Sequence, residues 1–481
     1  MRVLLMLPYD KSYNWAVPDL GLGYIAGSLR KEGHDVQMRV NPAEFATEDD
    51  FRRFIRQGNF DLIGIKVIYS AVNAARKTIH LIRNTASQAT IVLGGPHVSA
   101  DPQNIFNIIP EADYAFHGEG EKGIVEFAGK FCDNGPIKDG AEKITNLIWR
   151  RGREIVVNAS EPINDLDSIP FPAWELMAPR KFKCAPFNNS SRRYPIAPLL
   201  MTRGCPSKCT FCGAGLVQGN RLRSRSVDNI MSEIRFLTSQ FGVREIHFFD
   251  SNCAHRLGPL KDVCKRIISE EIDISWCAPN GIRIDSIDEE LAVLMKESGC
   301  FQVSVGIESG SLRILKQIKK GISTDMVRKR VSILRKNDIE VNGFFVIGFP
   351  GEKIREIEET VSFALELPLT SASFSILTPL PGTELYHEVY NGQELNIEAY
   401  RSLSFMDYKN NLSEASAQWL MKMQMNAYLR FYLRPRIIYY FLKNLNNIQK
   451  IGFLFLRVFS VLSVKKRLGK STKLLNANSI L

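Results

Sequence analysis

Apolar residues fall into two registers along this chain. In the first third, short apolar runs, one of them alternating with polar residues, are separated by longer stretches whose apolar residues recur at helical spacing. The runs are VLLMLP (Val3 to Pro8), DVQMRV (Asp35 to Val40), LIGIKVI (Leu62 to Ile68), TIVLGG (Thr90 to Gly95) and YAFHG (Tyr114 to Gly118). Runs of this kind are strands covered on both faces, and stretches such as GLGYIAGSLRKEG and AVNAARKTIHLIRNTAS supply the covering helices. The pattern predicts a doubly wound, Rossmann-like α/β domain over residues 1–135, with its ligand site beyond the carboxyl ends of the strands. Those ends carry Pro8, Gly94, Gly95, Pro96, Gly118 and Gly120. Bare glycines there let backbone come close to a large flat or phosphate-bearing ligand.

From 136 to 195 the pattern loosens under Pro162, Pro170, Pro172, Pro179, Pro186 and Pro195, and reads as a linker holding one small hairpin. A second strand-helix series then fills 196–400: APLLMTRG, REIHFFDS, DISWCAPN, FQVSVGIES, EVNGFFVIGFP and SASFSILTPLP. Six units of roughly 25 to 35 residues fit a parallel barrel or part of one, with function at the strands' carboxyl ends. Residues 401–481 change character again. WLMKMQMNAYLRFYLRPRIIYYFLKNL and IGFLFLRVFSVLSVKKRLGK are apolar, basic and helical, with a break at Pro435. The run from Ile451 to Val464 is 14 residues with Arg457 inside it, too short to span a bilayer. Two readings stand for this C-terminal extension: amphipathic helices lying on a membrane surface, or a helical pair capping the barrel.

Charge changes the picture only once it is located. The formal net charge is +11, but Met421 to Leu481 holds 12 Lys or Arg and no Asp or Glu, leaving 50 basic against 51 acidic residues elsewhere. An excess confined to the tail, without an RNA-binding module, argues against a nucleic-acid enzyme. The opening MRVLLMLPYD runs from one Arg through a short apolar run into Pro and Asp, which reads as a first strand and not a secretory leader. A cytoplasmic protein is the expectation, peripheral to the inner face of the membrane if the tail binds it. Cys132, Cys184, Cys253, Cys264, Cys277 and Cys300 are scattered singly, as ordinary reduced thiols are.

The remaining three cysteines are not scattered. RGCPSKCTFCGAG, directly after the first strand of the second series, sets Cys205, Cys209 and Cys212 at C-x3-C-x2-C spacing. Thiolates so placed converge on a soft metal centre. A structural zinc knot wants four protein ligands, and no second C-x2-C or nearby C-x2-H occurs. That leaves an iron-sulfur site with one position open.

CPSKCTFC resembles the C-x3-C-x-aromatic-C signature of the radical S-adenosylmethionine (SAM) superfamily, with Phe211 as the aromatic residue. The resemblance implies that the three thiolates hold a 4Fe-4S cluster and that SAM fills the open position. It also implies a partial (β/α)6 barrel. RLRSRSVDNIMSEI, HFFDS, GIESGS (Gly306 to Ser311), GFPGE (Gly348 to Glu352) and PLPGTELY (Pro379 to Tyr386) follow in the order of the superfamily's cobalamin (B12)-binding subgroup, over roughly Met1 to Tyr400. By that resemblance Glu308 contacts the SAM ribose, with Ser309 beside it. Asp250 and Ser251 stand where many members carry a glycine-rich clamp for the SAM amino group.

VLGGPHVSADP and HGEGE make the N-terminal domain similar to cobalamin-binding modules, which marks Gly94, Gly95, His97, Gly118 and Glu119 as cofactor contacts. No D-x-H-x-x-G occurs, so the subgroup's base-off cobalamin, without a histidine on cobalt, is implied. Lys66 occupies a strand end where such modules often have Ser. The activity implied is C-methylation at an unactivated carbon through a 5′-deoxyadenosyl radical and methylcobalamin, with an external electron donor of flavodoxin or ferredoxin type. Ring formation or ring contraction without methyl transfer is the alternative, and a non-enzymatic redox or light sensor is a second class. The substrate is a small molecule, lipid-like if the tail meets membrane.

Overall fold

The computed structural model describes residues 1–10, 18–41, 44–86, 88–135, 137, 139–181, 191–255, 258–390 and 410–443. Its first sheet has seven strands: β1 (Arg2–Met6), β2 (Asp35–Arg39), β3 (Leu62–Lys66), β4 (Thr90–Gly94), β5 (Tyr114–Phe116), β6 (Leu147–Arg151) and β7 (Glu154–Val157), in the order β2-β1-β3-β4-β5-β6-β7. The first five run parallel. Residues 3–6, 62–65 and 90–93 are buried throughout, because helices cover both faces, whereas β2 at the edge alternates. The hairpin β6–β7 joins the same sheet antiparallel to β5. The unit expected to end at residue 135 therefore continues to Val157, and the hairpin read as part of a linker is its edge.

The second half begins with β8 (Ile196–Leu199) and a short antiparallel pair, β9 (Thr202–Arg203) and β10 (Arg223–Ser224). It continues with β11 (Glu245–Phe248), β12 (Ser275–Ile282), β13 (Cys300–Glu308), β14 (Glu340–Ile347) and β15 (Ser371–Ile376). Six of these strands form one parallel sheet in the order β15-β14-β13-β12-β11-β8, so each barrel strand pairs with its neighbour in sequence and the expected six-strand partial barrel is present.

The C-terminal helix Ala417–Tyr432 lies along β15, the outer strand. The Tyr432 hydroxyl donates to the Ala372 carbonyl (2.9 Å) and accepts from its N–H (3.3 Å), and Gln424 donates to the Phe374 carbonyl (2.7 Å). Of the two readings of the extension, capping of the barrel holds for this helix. A second helix, Pro435–Lys443, follows the break at Pro435. The run Ile451 to Val464 and Cys184 lie outside the described residues, within which no helix is long and apolar enough to cross a membrane.

Candidate active site

The cysteine loop leaves β8 through a fixed root. Asp250, just past β11 and 1% exposed, accepts from the backbone N–H groups of Met201 (3.1 Å) and Thr202 (2.6 Å) and from the Thr202 hydroxyl (2.6 Å). Burial pushes its carboxyl up to about 6 against the lowering pull of those hydrogen bonds. The position read as a SAM amino-group contact therefore anchors the loop that carries the thiols, while the neighbouring Ser251 hydroxyl donates to Gln218 (3.2 Å). Gly204 comes next, at φ +85; a Cβ there would stand 2.1 Å from the Arg221 carbonyl oxygen, so the bend requires glycine. Further on, Cys205 N–H donates to Gly219 (3.2 Å), Thr210 N–H to Ile318 (3.2 Å) and Leu385 N–H to Thr210 (2.9 Å). Phe211 packs edge-on against Phe349, ring centroids 6.1 Å apart.

The three thiols lie within one another's electrostatic reach. Burial pushes Cys209 up, Lys320 and Arg283 pull it down, and Cys205 adds a smaller upward push. Cys212 keeps a solvent-accessible face, yet protein crowds it on most sides; that desolvation raises it, and Cys209 and Cys205 raise it further. Among the described residues no three His, Cys, Asp or Glu side chains are gathered around a single ion position. The cations Lys320 and Arg283 beside the thiols favour the thiolate form that iron binds.

Glu308 closes β13 with φ +66, uncommon for a residue with a side chain. It is buried, and its Oε1 accepts from Lys320 Nζ at 2.8 Å. Ser309 turns elsewhere: fully buried, its hydroxyl shares a 2.9 Å hydrogen bond with Thr360 and accepts from Ser311 N–H (3.1 Å). The side chain read as a cofactor contact fastens the turn after β13 to the helix Ile354–Glu366.

On the first domain, Gly94 and Gly95 end β4 as expected. Gly95 has φ +102, and a Cβ would stand 2.8 Å from the Val67 carbonyl oxygen, so its bareness also serves the crossing of two strand ends. Lys66 ion-pairs with Asp19 (2.6 Å), which caps the helix Leu20–Lys31. His97 has no accessible surface; burial lowers it to about 4, so the imidazole is neutral, and its ring sits edge-on to Tyr69 at 5.9 Å.

The carboxyl-end loops of the two sheets meet. A Cβ on Gly213, one residue past Cys212, would stand 3.0 Å from the Tyr69 hydroxyl, and one on Gly382, past β15, 2.6 Å from the Ala100 carbonyl oxygen. Gly118 borders the same junction, where a Cβ would stand 3.8 Å from the Val217 carbonyl oxygen, a few residues past Cys212. Glu119 belongs to the same junction in another way. Its carboxylate takes a two-pronged pair from Arg223 (2.7 and 2.8 Å) and lies 3.6 Å from Arg203, which binds Glu121 at 2.6 Å. The residue read as a cofactor contact is a buried bridge between domains. Arg203, Arg223 and Glu121 escaped the sequence reading because their partners lie 82 to 104 residues away, and Tyr69, Lys320 and Arg283 because only the fold brings them to the cysteine loop.

Comparison with known proteins agrees with this geometry. A family model described as the radical SAM superfamily matches residues 199–364, and one described as the B12 binding domain matches 12–128. An uncharacterized methyltransferase of Pyrococcus horikoshii is 32% identical over 444 residues, covering 91% of this chain and 94% of the relative. The cytidylyl-2-hydroxyethylphosphonate methyltransferase of Streptomyces wedmorensis is 28% identical over 476 residues, covering 87% and 86%. The solved structure of the cobalamin-dependent S-adenosylmethionine radical enzyme OxsB, with aqua-cobalamin and S-adenosylmethionine bound, has a TM-score of 0.72 at 17% identity over 98% of this chain and 75% of that one, a likeness of fold. A chain with this loop, this pair of domains and these relatives belongs to the cobalamin-binding branch of the radical SAM superfamily.

Proposed function

We propose that this enzyme methylates an unactivated carbon of a small molecule. The observation that carries the reading is the meeting of the cobalamin domain's strand-end face with the cysteine loop, through Tyr69 and Gly213. When bound, the cluster supplies the electron that cleaves SAM to a carbon-centred radical, and cobalamin supplies the methyl group. In this reading Cys205, Cys209 and Cys212 hold the cluster as thiolates, helped by the charges of Lys320 and Arg283. Glu308, held by Lys320, offers its second carboxylate oxygen to the SAM ribose hydroxyls. Phe211 and Phe349 give that end of the barrel an apolar wall that excludes water from a reactive radical. Gly94, Gly95 and Gly118 present bare backbone to the corrin, and neutral His97 stands behind Tyr69.

Two relatives named as methyltransferases favour methyl transfer over ring formation. A lipid-like substrate is supported by the exposed apolar residues Leu429, Leu433, Ile438 and Tyr439 beside Arg430 and Arg436 on the last two helices. Co-sedimentation with anionic liposomes checks that part. The main test is anaerobic reconstitution with iron, sulfide and cobalamin, followed by SAM and a low-potential chemical reductant. Both 5′-deoxyadenosine and S-adenosylhomocysteine are expected. 5′-Deoxyadenosine without S-adenosylhomocysteine would exclude methyl transfer and leave ring formation.

A further inference from the structure

The stretch between the first two cysteines, Pro206, Ser207 and Lys208, borders a cavity of about 640 Å3 open to solvent. Its floor is Arg283, whose guanidinium donates to the Ser207 hydroxyl (3.0 Å) and to the Lys320 carbonyl (3.1 Å). Arg283 and Lys320 line the same cavity as Pro206, Ser207 and Lys208, so this floor lies directly against the stretch between Cys205 and Cys209. The other flank of the loop is packed against Tyr69, the Ile318 carbonyl and Leu385. The Ser207 side is therefore the flank on which the stretch between Cys205 and Cys209 meets solvent.

The rim of this opening is net basic, Lys208, Arg283, Lys319, Lys320 and Arg330 outnumbering Asp285 and Asp288. Outside the tail the chain is balanced in charge, yet Leu312 to Asn337, which supplies Lys319, Lys320 and Arg330 to the cavity, holds nine Lys or Arg and one Asp. Arg313, Lys319, Lys320 and Arg328 are ion-paired. Among the described residues Lys208, Lys316, Lys329, Arg330 and Lys336 form no ion pair. Lys329 and Lys336 stand two turns apart on the helix Thr324–Lys336, about 10 Å. Cations spread over that span meet a surface, where a small anion would need donors converging on a point.

We propose that the rim formed by Lys208, Arg330 and the helix Thr324–Lys336 docks a small acidic one-electron carrier protein of flavodoxin type, and that the electron enters past Ser207 and Arg283. The proposal rests on the reading that the three thiols hold a redox cluster. The carrier is oxidised by one electron and the bound cluster is reduced by one; no atom is transferred.

The test uses the reconstituted full-length enzyme and an acidic flavodoxin. Lys208→Glu, Arg330→Glu and the double variant are compared with Lys31→Glu, a charge reversal on the other domain. Equilibrium binding of oxidised flavodoxin at low ionic strength should weaken at least about tenfold in the double variant and not in the control, with the gap closing at high salt. Flavodoxin-driven 5′-deoxyadenosine formation should fall in parallel at sub-saturating carrier, while dithionite-driven formation stays at the wild-type rate. Unchanged flavodoxin binding, an equal effect of Lys31→Glu, or an equal loss under dithionite with binding retained would each overturn the docking site. Wild-type enzyme inert under dithionite would instead count against the proposed function, and the binding series would still decide the docking site.

Discussion

Glu119 and Arg223 form a two-pronged ion pair, 2.7 and 2.8 Å, at the centre of the junction between the cobalamin domain and the barrel, with side chains 4% and 5% exposed. Arg223 sits opposite Arg203 in the β9–β10 pair, and Arg203 reaches Glu121 and lies over the Tyr24 ring. Two carboxylates from one domain thus meet two guanidiniums from the other, and charge cancels locally. Arg203 is two residues before Cys205, so the bridge fixes the register between the strand-end face of one domain and the thiol loop of the other.

Removing one partner from such a group leaves an uncompensated buried charge. Glu119→Gln is expected to cost the apoprotein on the order of 3 kcal/mol in urea unfolding. Arg223→Lys, which keeps the charge but cannot form the fork, should fall between wild type and Glu119→Gln. Equal stability of wild type and Glu119→Gln would show that the bridge contributes nothing.

What the sequence did and did not reveal follows from how local each signal is. The strands of both parallel sheets were legible because burial on both faces demands runs such as VLLML and SVGI, and the cysteine spacing is a local chemical signal. HGEGE reads as a ligand loop, and nothing near Glu119 discloses that its carboxylate pairs with Arg223, 104 residues on. The anchoring role of Asp250 is hidden for the same reason, its hydrogen bonds going to Met201 and Thr202 across the sheet. The hairpin β6–β7, LIWRR and EIVV, reads as part of a linker because it stands outside the strand-helix alternation and its outer residues are only partly buried.

Cys205→Ala, Cys209→Ala and Cys212→Ala should each abolish iron retention after anaerobic reconstitution, together with the broad visible absorption of a cluster. Cys253, Cys264, Cys277 and Cys300 are buried thiols held protonated, Cys264 pushed up to about 12 and the others well above the ordinary range by desolvation. Alanine at any of these four should leave iron content at the wild-type level. Iron loss in the second group as deep as in the first would refute the assignment.

Glu308 is proposed to hold the SAM ribose through the carboxylate oxygen that does not face Lys320. Glu308→Gln keeps the shape and removes the charge from a charge-assisted hydrogen bond, a loss of roughly 1.5–3 kcal/mol. SAM affinity, measured by equilibrium binding to the reconstituted enzyme, should weaken by about tenfold to a hundredfold while cluster content is unchanged. Unaltered SAM affinity would reduce the Glu308–Lys320 pair to a structural role.

Glu352, in the turn after β14, accepts from Gly348 N–H (2.6 Å) and Phe349 N–H (3.1 Å) and has no accessible surface. Burial pushes its carboxyl up to about 7 from 4.5, against the lowering effect of those hydrogen bonds. The folded protein therefore binds more protons here than the unfolded chain between those two values, and stability falls as pH rises through that window. Glu352→Gln, which mimics the protonated acid, should remove a decline on the order of 3 kcal/mol between pH 4.5 and 7. Urea titrations of both proteins across that range give the difference directly, and parallel profiles would mean that Glu352 titrates normally.

The outer edge of the partial barrel is closed by side chains. Tyr432 contacts both the N–H and the carbonyl of Ala372, and Tyr428 both those of Phe374, at 3.1 and 3.3 Å, while Gln424 adds a bond to the Phe374 carbonyl. An edge strand with its backbone groups exposed is a template for pairing with another chain, so these hydroxyls replace the missing seventh strand. Tyr432 is 6% exposed and Tyr428 only half-buried, so water can substitute at Tyr428 more readily than at Tyr432. Tyr432→Phe should therefore cost about 2 kcal/mol in urea unfolding and Tyr428→Phe less. The double variant should also aggregate faster at elevated temperature, read by light scattering, because the loosened helix bares β15. If Tyr428→Phe proved the more damaging, or neither changed stability, the helix Ala417–Tyr432 would be held by its apolar face alone, through Leu420, Ala427 and Phe431.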